Sequence, residues 1–177
     1  MTVYTFDLEQ TRNGLISLEV VHTWARQGHW TRRYARRVGR IVIQCQLTES
    51  DLYNDANPNV AGSMDYPHDP GHQGTDHASV GTFQQQVPLW GPVSRCQNVA
   101  RATRHFLDAL LPIDITDEDV AMEIQHVQRS GVADGSNYHA QRDRALAFMA
   151  QHWLAAARPG SRAHRRVLRR ATTTTHG

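Results

Sequence analysis

The sequence predicts a mainly α-helical domain whose two helical parts are separated by a long central loop. Apolar residues recur every three or four positions up to about residue 50 and again from residue 99 onward, which is the spacing of a buried helix face. Between these parts, residues 51–81 contain three X-Pro steps and several glycines, which are typical of a loop. A chain of 177 residues fits one domain with a single core.

Two helices are predicted in the first 50 residues. Each has an apolar residue at every third or fourth position, so that one face can pack against the core. These positions are Leu15, Leu18, Val21 and Trp24 in the first helix and Tyr34, Val38, Val42 and Cys45 in the second.

The loop that follows lies in the acidic middle of the chain. All 19 basic residues are arginines and none falls between Arg40 and Arg95, an interval that contains six carboxylates. A loop of this length within a compact domain is usually functional or disordered, and here we expect an ordered loop. A short extended segment around Val80 to Phe83 is predicted to end it.

Three more helices are predicted after the loop. The first ends at Pro112, because proline cannot continue a helix. Thr116 followed by Asp119 resembles a capping box that opens the second. The apolar faces run through Val99, Ala102, Phe106 and Ala109, then Val120, Ile124 and Val127, then Leu146, Met149, Trp153 and Ala157.

Composition narrows the class of protein. No apolar run approaches the roughly 18 residues of a spanning helix, and residues 1–14 lack the pattern of a secretory signal. Two cysteines, Cys45 and Cys96, are too few for a disulfide framework and lack metal-ligand spacing. We expect residues 1–158 to form the domain and residues 159–177, with five arginines and a threonine run, to form a flexible basic tail.

Glu49 interrupts an otherwise apolar helix face. Burial disfavours a charged carboxylate, so a glutamate at the end of such a face is expected to have a raised pKa and to serve as a general acid. The alternative is a side chain that turns to solvent or caps a backbone amide. The face consists of Val38, Val42, Cys45, Glu49 and Leu52.

Three short motifs follow one another along the chain. Thr48-Glu49-Ser50 ends a predicted helix, Gly81-Thr82-Phe83-Gln84 follows the loop, and Val127-Gln128-Arg129-Ser130 precedes Tyr138. In this order they resemble the lysozyme-like peptidoglycan hydrolases, specifically the lytic transglycosylase and goose-type branch found in endolysins and virion proteins of actinobacterial phages. The resemblance covers residues 30–157 and implies a lysozyme-like helical fold with a short β-hairpin.

The resemblance also implies an activity, cleavage of the β-1,4 bond between N-acetylmuramic acid and N-acetylglucosamine in peptidoglycan, with no cofactor. Glu49 would donate the proton, and Asp76 is the best candidate for positioning water, although it equally suits a loop turn. Gln86 stands where the goose-type pattern has another aspartate, and in the transglycosylase branch the substrate's own N-acetyl group assists instead. Tyr138 is expected beside Glu49 or the substrate acetamide. The residues expected to bind substrate are Ser50, Asn54, Ser79, Gln84, Gln85, Gln128 and Tyr138.

Residues 67–86 also allow a metal site as an alternative to a groove for an uncharged polymer. Because proline and glycine interrupt this segment, no helix holds its histidines on one face, and we favour the groove without a metal. Phe83, Tyr66 and Trp90 either stack on sugar faces or pack in the core. The possible zinc ligands are His68, His72, His77, Asp69 and Asp76.

Two other functions compete with the enzyme. Some lysozyme-like domains serve mainly as scaffolds in phage tails, so a non-catalytic virion component that contacts tail proteins is the principal alternative. The Arg-rich segments 32–40 and 162–170 would suit a nucleic-acid-binding helical protein, but they leave the acidic middle unexplained, and no nucleic-acid partner is predicted. The expected partner is bacterial peptidoglycan, reached from the host cytoplasm or from a virion.

Overall fold

The computed structural model describes residues 2–113, 115, 119–158 and 160 and confirms the mainly α-helical fold. Within these ranges, no helix combines the length and the apolar character needed to cross a membrane. Thr116 and, apart from Gly160, the predicted basic tail lie outside the described residues. The helices are α1 (Leu8–Gln27), α2 (Arg32–Glu49), α3 (Val93–Cys96), α4 (Val99–Leu110), α5 (Val120–Gln128), α6 (Ser136–His139) and α7 (Arg142–Ala156); the antiparallel strands are β1 (Ser79–Val80) and β2 (Gln85–Gln86).

The first two helices begin at side-chain caps. Asp7 accepts a hydrogen bond from the backbone N–H of Gln10 at 2.9 Å, and the Gln10 side chain accepts one from the N–H of Asp7 at 3.0 Å, forming a capping box. Thr31 caps α2 through the N–H of Tyr34. Helix α2 then contacts α1, α5, α6 and α7, and residues 41–47 are buried on every side. It is therefore the central helix rather than one with a single apolar face.

Two apolar clusters surround α2. One joins α1, α2, α4 and α5 and includes Phe83 from the hairpin turn, whose ring stacks on Phe106 with centroids 4.8 Å apart. The other joins α1, α2 and α7 through residues such as Leu15, Leu47 and Phe148. The sugar-stacking interpretation of Phe83 is therefore wrong, because its side chain has no exposed surface and belongs to the core.

The buried face of α7 differs from the predicted one. Met149 is buried as predicted, but Leu146 is 42% exposed, and Phe148 and His152 are buried instead. A Cβ atom at Gly14 of α1 would lie 2.2 Å from the Phe148 ring, so the ring occupies space that only a glycine leaves free. This contact sets the rotation of α7 and turns Leu146 outward.

Buried polar groups hold the long loop in place. The Asn57 amide donates to the backbone oxygen of Ser79 at 3.1 Å, and fully buried Asp69 accepts several hydrogen bonds. Where the loop enters the hairpin turn, Gly81 has a φ of +75°, and a Cβ atom there would lie 2.1 Å from the carbonyl oxygen of Cys96. No side chain fits at this position, so the turn requires glycine.

Candidate functional site

A cleft of about 920 Å³ opens between the hairpin, the end of α4 and α5. Glu49, the last residue of the central helix, lies in its wall. The lining combines polar side chains with a few apolar ones, a composition suited to a hydroxylated ligand. The lining residues are Glu49, Asp76, Ser79, Gln84, Gln86, Leu89, Trp90, Ala109, Ile113, His126, Val127, Gln128, Arg129, Ser130 and Gly131.

Glu49 is half-buried and held by a tyrosine. The Tyr138 hydroxyl donates a hydrogen bond to Glu49 Oε1 at 2.6 Å. Burial raises the pKa of Glu49 above its usual range, and hydrogen bonds from Tyr138 and Gln128 partly offset this rise because they favour the charged form. The result is a carboxyl group that binds its proton more tightly than an exposed glutamate and still faces the cleft.

Tyr138 is positioned by the central helix as well. Its side chain is fully buried, and its backbone oxygen accepts a hydrogen bond from the Gln44 amide at 2.9 Å. Burial, together with the nearby Cys45 and Glu49, raises the pKa of Tyr138 well above its usual range. The hydroxyl therefore stays protonated and acts as a fixed donor to Glu49.

The hairpin turn is tied to α2 and α5 by polar side chains. Gln46, buried within α2, donates to Thr82 Oγ1 at 2.8 Å. Ser50 donates to the backbone oxygen of Thr82 at 2.9 Å, and Gln128 donates to that of Phe83 at 2.8 Å. These bonds fix the wall of the cleft that faces Glu49.

Three of the residues predicted to bind substrate line the cleft, namely Ser79, Gln84 and Gln128. Gln84 adopts a positive φ of 46°, and its amide donates to Asp55 Oδ2 at 3.1 Å. Tyr138 lies behind Glu49 and does not line the cleft.

The other three predicted binding residues make contacts inside the protein. Ser50 is engaged by Thr82, and Gln85 is 1% exposed with its amide directed at the backbone oxygen of Ala102. Asn54 is 6% exposed and donates to the backbone oxygen of Gln97 at 3.0 Å. Their polar groups hold the loop and hairpin in place. The sequence alone does not separate this structural role from substrate binding.

Asp76 lies at the rim of the cleft. Its side chain is 78% exposed and pairs with His77 Nδ1. Trp90 also lines the cleft, next to Leu89, whose side chain is 81% exposed. Tyr66 is exposed but is not part of the lining.

The three histidines of the loop contact different groups of the protein. His68 contacts a backbone oxygen, the His72 ring stacks on Tyr53 with centroids 3.4 Å apart, and His77 pairs with Asp76. Among the described residues, no group of three His, Cys, Asp or Glu side chains is placed to bind a metal ion. The structure thus does not bring the possible zinc ligands together.

Sequence reasoning missed the charged groups on the α5 wall and a buried carboxyl in the loop. His126 and Arg129 line the cleft, but the motif Val127-Gln128-Arg129-Ser130 predicts only Gln128 as a substrate-binding residue, and His126 lies outside it. Burial, and then the charge of Asp69, raise the pKa of Asp55 from its ordinary value of 3.8 to about 7. No sequence pattern could identify Asp55, because its burial comes from the way the loop folds back.

We expect Asp55→Asn to stabilise the protein at pH 8 by about 1 kcal/mol, allowing for screening by solvent. The folded state binds this proton more tightly than the unfolded chain, so stability is lost as pH rises from about 4 to about 7. Asparagine carries no charge and still accepts the hydrogen bond from Gln84. Urea unfolding at pH 4, 6 and 8 measures the effect, and an equal difference at all three pH values would contradict it.

We expect Tyr138→Phe to raise the pKa of Glu49 further, because the hydroxyl that favours its charged form is removed. The lost hydrogen bond should also lower the free energy of unfolding by about 1 kcal/mol. Carbon-13 NMR of the Glu49 carboxyl against pH measures the first effect and urea unfolding the second. Exposed Tyr66→Phe is the control and should change neither; a lowered or unchanged Glu49 pKa in Tyr138→Phe would disprove the assigned donor.

This cleft holds a group that can donate a proton to a bound ligand. It combines a carboxyl group with a raised pKa, a fixed hydroxyl donor beside it and neutral amides along one wall. No protein-family model matches the chain, and no curated protein matches it in sequence.

Proposed function

We propose that this protein cleaves the glycan strands of bacterial peptidoglycan at the β-1,4 bond between N-acetylmuramic acid and N-acetylglucosamine. The observation that carries the proposal is Glu49, half-buried in an open cleft and hydrogen-bonded to Tyr138 at 2.6 Å. The motif order that resembles lysozyme-like hydrolases supports the same function, because Glu49 and Tyr138 are the residues that it singles out.

Glu49 would act as the general acid. Burial raises the pKa of Glu49 and so favours its protonated form, and that proton is transferred to the glycosidic oxygen as the bond breaks. Tyr138 donates to Oε1, so the proton for transfer is assigned to Oε2. Ser79 and the amide oxygens of Gln84 and Gln128, whose NH2 groups donate to Asp55 and Phe83, offer neutral hydrogen-bonding groups for acetamido and hydroxyl substituents.

After the glycosidic bond breaks, the N-acetyl group of the substrate, rather than a carboxylate of the protein, is proposed to assist the reaction at the sugar carbon. Among the described residues that line the cleft, only Asp76 offers a second carboxylate, and its side chain is largely exposed and paired with His77. Such a group is poorly placed to hold a water molecule in a dry site. Participation of the N-acetyl group, which gives a 1,6-anhydro sugar, therefore fits the cleft better than attack by water.

The test is incubation of the protein with purified peptidoglycan sacculi, followed by mass analysis of the soluble products. Release of disaccharide-peptides is the expected result. Anhydro products are lighter by one water molecule than hydrolytic ones, so their masses separate the two routes. If the protein releases no sugar and instead assembles into large particles, the proposed activity is wrong and a virion scaffold is the better interpretation.

A further inference from the structure

We propose that Arg129 and His126 form a carboxylate-binding subsite in the cleft, which recognises the acidic substituent on O3 of N-acetylmuramic acid. This inference rests on the proposed function and specifies which feature of the glycan strand the cleft recognises. The substituent is a lactyl group, whose carboxylate is free in denuded strands or linked to a stem peptide with carboxylates of its own.

Both residues stand on the wall of the cleft formed by α5. His126 lies in the last turn of the helix, and Arg129 directly follows its last residue. Both side chains are exposed and line the same cleft as Glu49. A ligand bound in this cleft therefore lies against both side chains.

The backbone holds Arg129 in a fixed and unusual conformation. Its φ of 53° and ψ of 44° are left-handed, a region that favours glycine at helix ends. Its N–H donates to the backbone oxygen of Gln125 at 2.8 Å. Ser130 then exchanges two hydrogen bonds with the Gln125 side chain, at 2.7 and 2.9 Å. The guanidinium therefore extends from an ordered helix end. Ligand binding does not have to order this part of the backbone first.

The two basic side chains are uncommitted, whereas the carboxylates of the cleft are engaged. In the described ranges, neither the Arg129 guanidinium nor the His126 ring makes a hydrogen bond or an ion pair. Glu49 is bonded to Tyr138, and Asp76 is paired with His77. A guanidinium in a cleft without an ion-pair partner attracts an anionic group on the ligand.

The proposed substrate carries a carboxylate, and these two side chains have the donor groups that bind a carboxylate. A guanidinium binds a carboxylate through two parallel N–H groups, and an imidazole N–H adds a third donor. The alternative role for Arg129 is stabilisation of the carboxyl end of α5 through its positive charge. That role would change the stability of the protein but would not make binding depend on the charge of the ligand.

The test measures binding of soluble glycan strands in the Glu49→Gln background, in which the strands stay intact. Three ligands are compared by titration calorimetry: peptide-substituted strands, amidase-denuded strands, and denuded strands whose lactyl carboxylates are converted to methylamides. Adding Arg129→Gln should weaken binding of carboxylate-bearing strands about tenfold and leave the methylamide strands unchanged. Arg129→Lys should give an intermediate loss, because the charge remains without the bidentate geometry.

Arg101→Gln is the matched control, since it removes the same charge from an exposed position in α4 outside the cleft. It should leave binding of all three ligands unchanged. Dependence on Arg129 in the denuded strands identifies the lactyl carboxylate, and dependence only in the substituted strands identifies the peptide. Equal weakening for all three ligands, no weakening, or no binding at all overturns the subsite. Cleavage of sacculi by the unaltered protein is scored separately, so a failed subsite and a failed enzyme are told apart.

Discussion

Glu49→Gln is expected to reduce the release of soluble products from peptidoglycan at least about 100-fold, the contribution of a general acid. Glutamine has nearly the same shape and still accepts the hydrogen bond from Tyr138. It has no proton to transfer to the glycosidic oxygen. Burial already disfavours the charged carboxylate, so the neutral amide should leave the free energy of unfolding unchanged or slightly higher.

Two measurements on the same preparations separate chemistry from folding. Turbidity loss of a sacculi suspension reports activity, and urea unfolding reports stability. Glu9→Gln, in the first turn of α1 and outside the cleft, is the control and should clear sacculi like the unaltered protein. If Glu49→Gln clears sacculi at the unaltered rate, Glu49 is not the acid and the proposed function fails.

Asp69→Ala is expected to lower the free energy of unfolding by about 3 kcal/mol. Asp69 is fully buried and accepts hydrogen bonds from the Arg12 guanidinium, from the Asn13 amide at 2.6 Å and from the backbone N–H of Asn54 at 2.7 Å. Alanine would leave the two buried donors without an acceptor, and each such loss costs about 1–3 kcal/mol. Arg12 is half-exposed and can return to water, which limits the total.

Urea unfolding at pH 7 measures this effect. Asp65→Ala is the matched control, because it removes a carboxylate from the same loop at an exposed position. We expect it to change stability by no more than about 0.5 kcal/mol. Equal stability of the two variants would show that the contacts of Asp69 do not hold the loop on α1.

The helices illustrate what could be predicted. Within the part of the chain that the structure describes, apolar periodicity located the five long helices, because a helix with one buried face needs an apolar residue at each turn. It failed on the rotation of α7, where Phe148 packs over Gly14 and Leu146 is exposed. Which face of a helix is buried depends on the helix that packs against it, and the spacing of apolar residues does not identify that neighbouring helix.

The candidate site was only partly predictable. Glu49 stood out as a carboxylate at the end of an apolar face, and Ser79, Gln84 and Gln128 were expected in a groove. Ser50, Asn54 and Gln85 were expected there too, yet they make buried hydrogen bonds within the protein. A polar side chain in a loop suits a ligand or a buried backbone group equally well, and only the path of the chain separates the two.

By itself, the sequence determined where the long helices run and which acid stands at the end of the central one, because periodicity and charge are local properties. Only the tertiary structure decided that Tyr138 donates to Glu49 across 89 residues of chain, that Phe83 belongs to the core, and that Arg129 and His126 line the cleft. Those contacts join segments distant in sequence, and close packing of the core selects them.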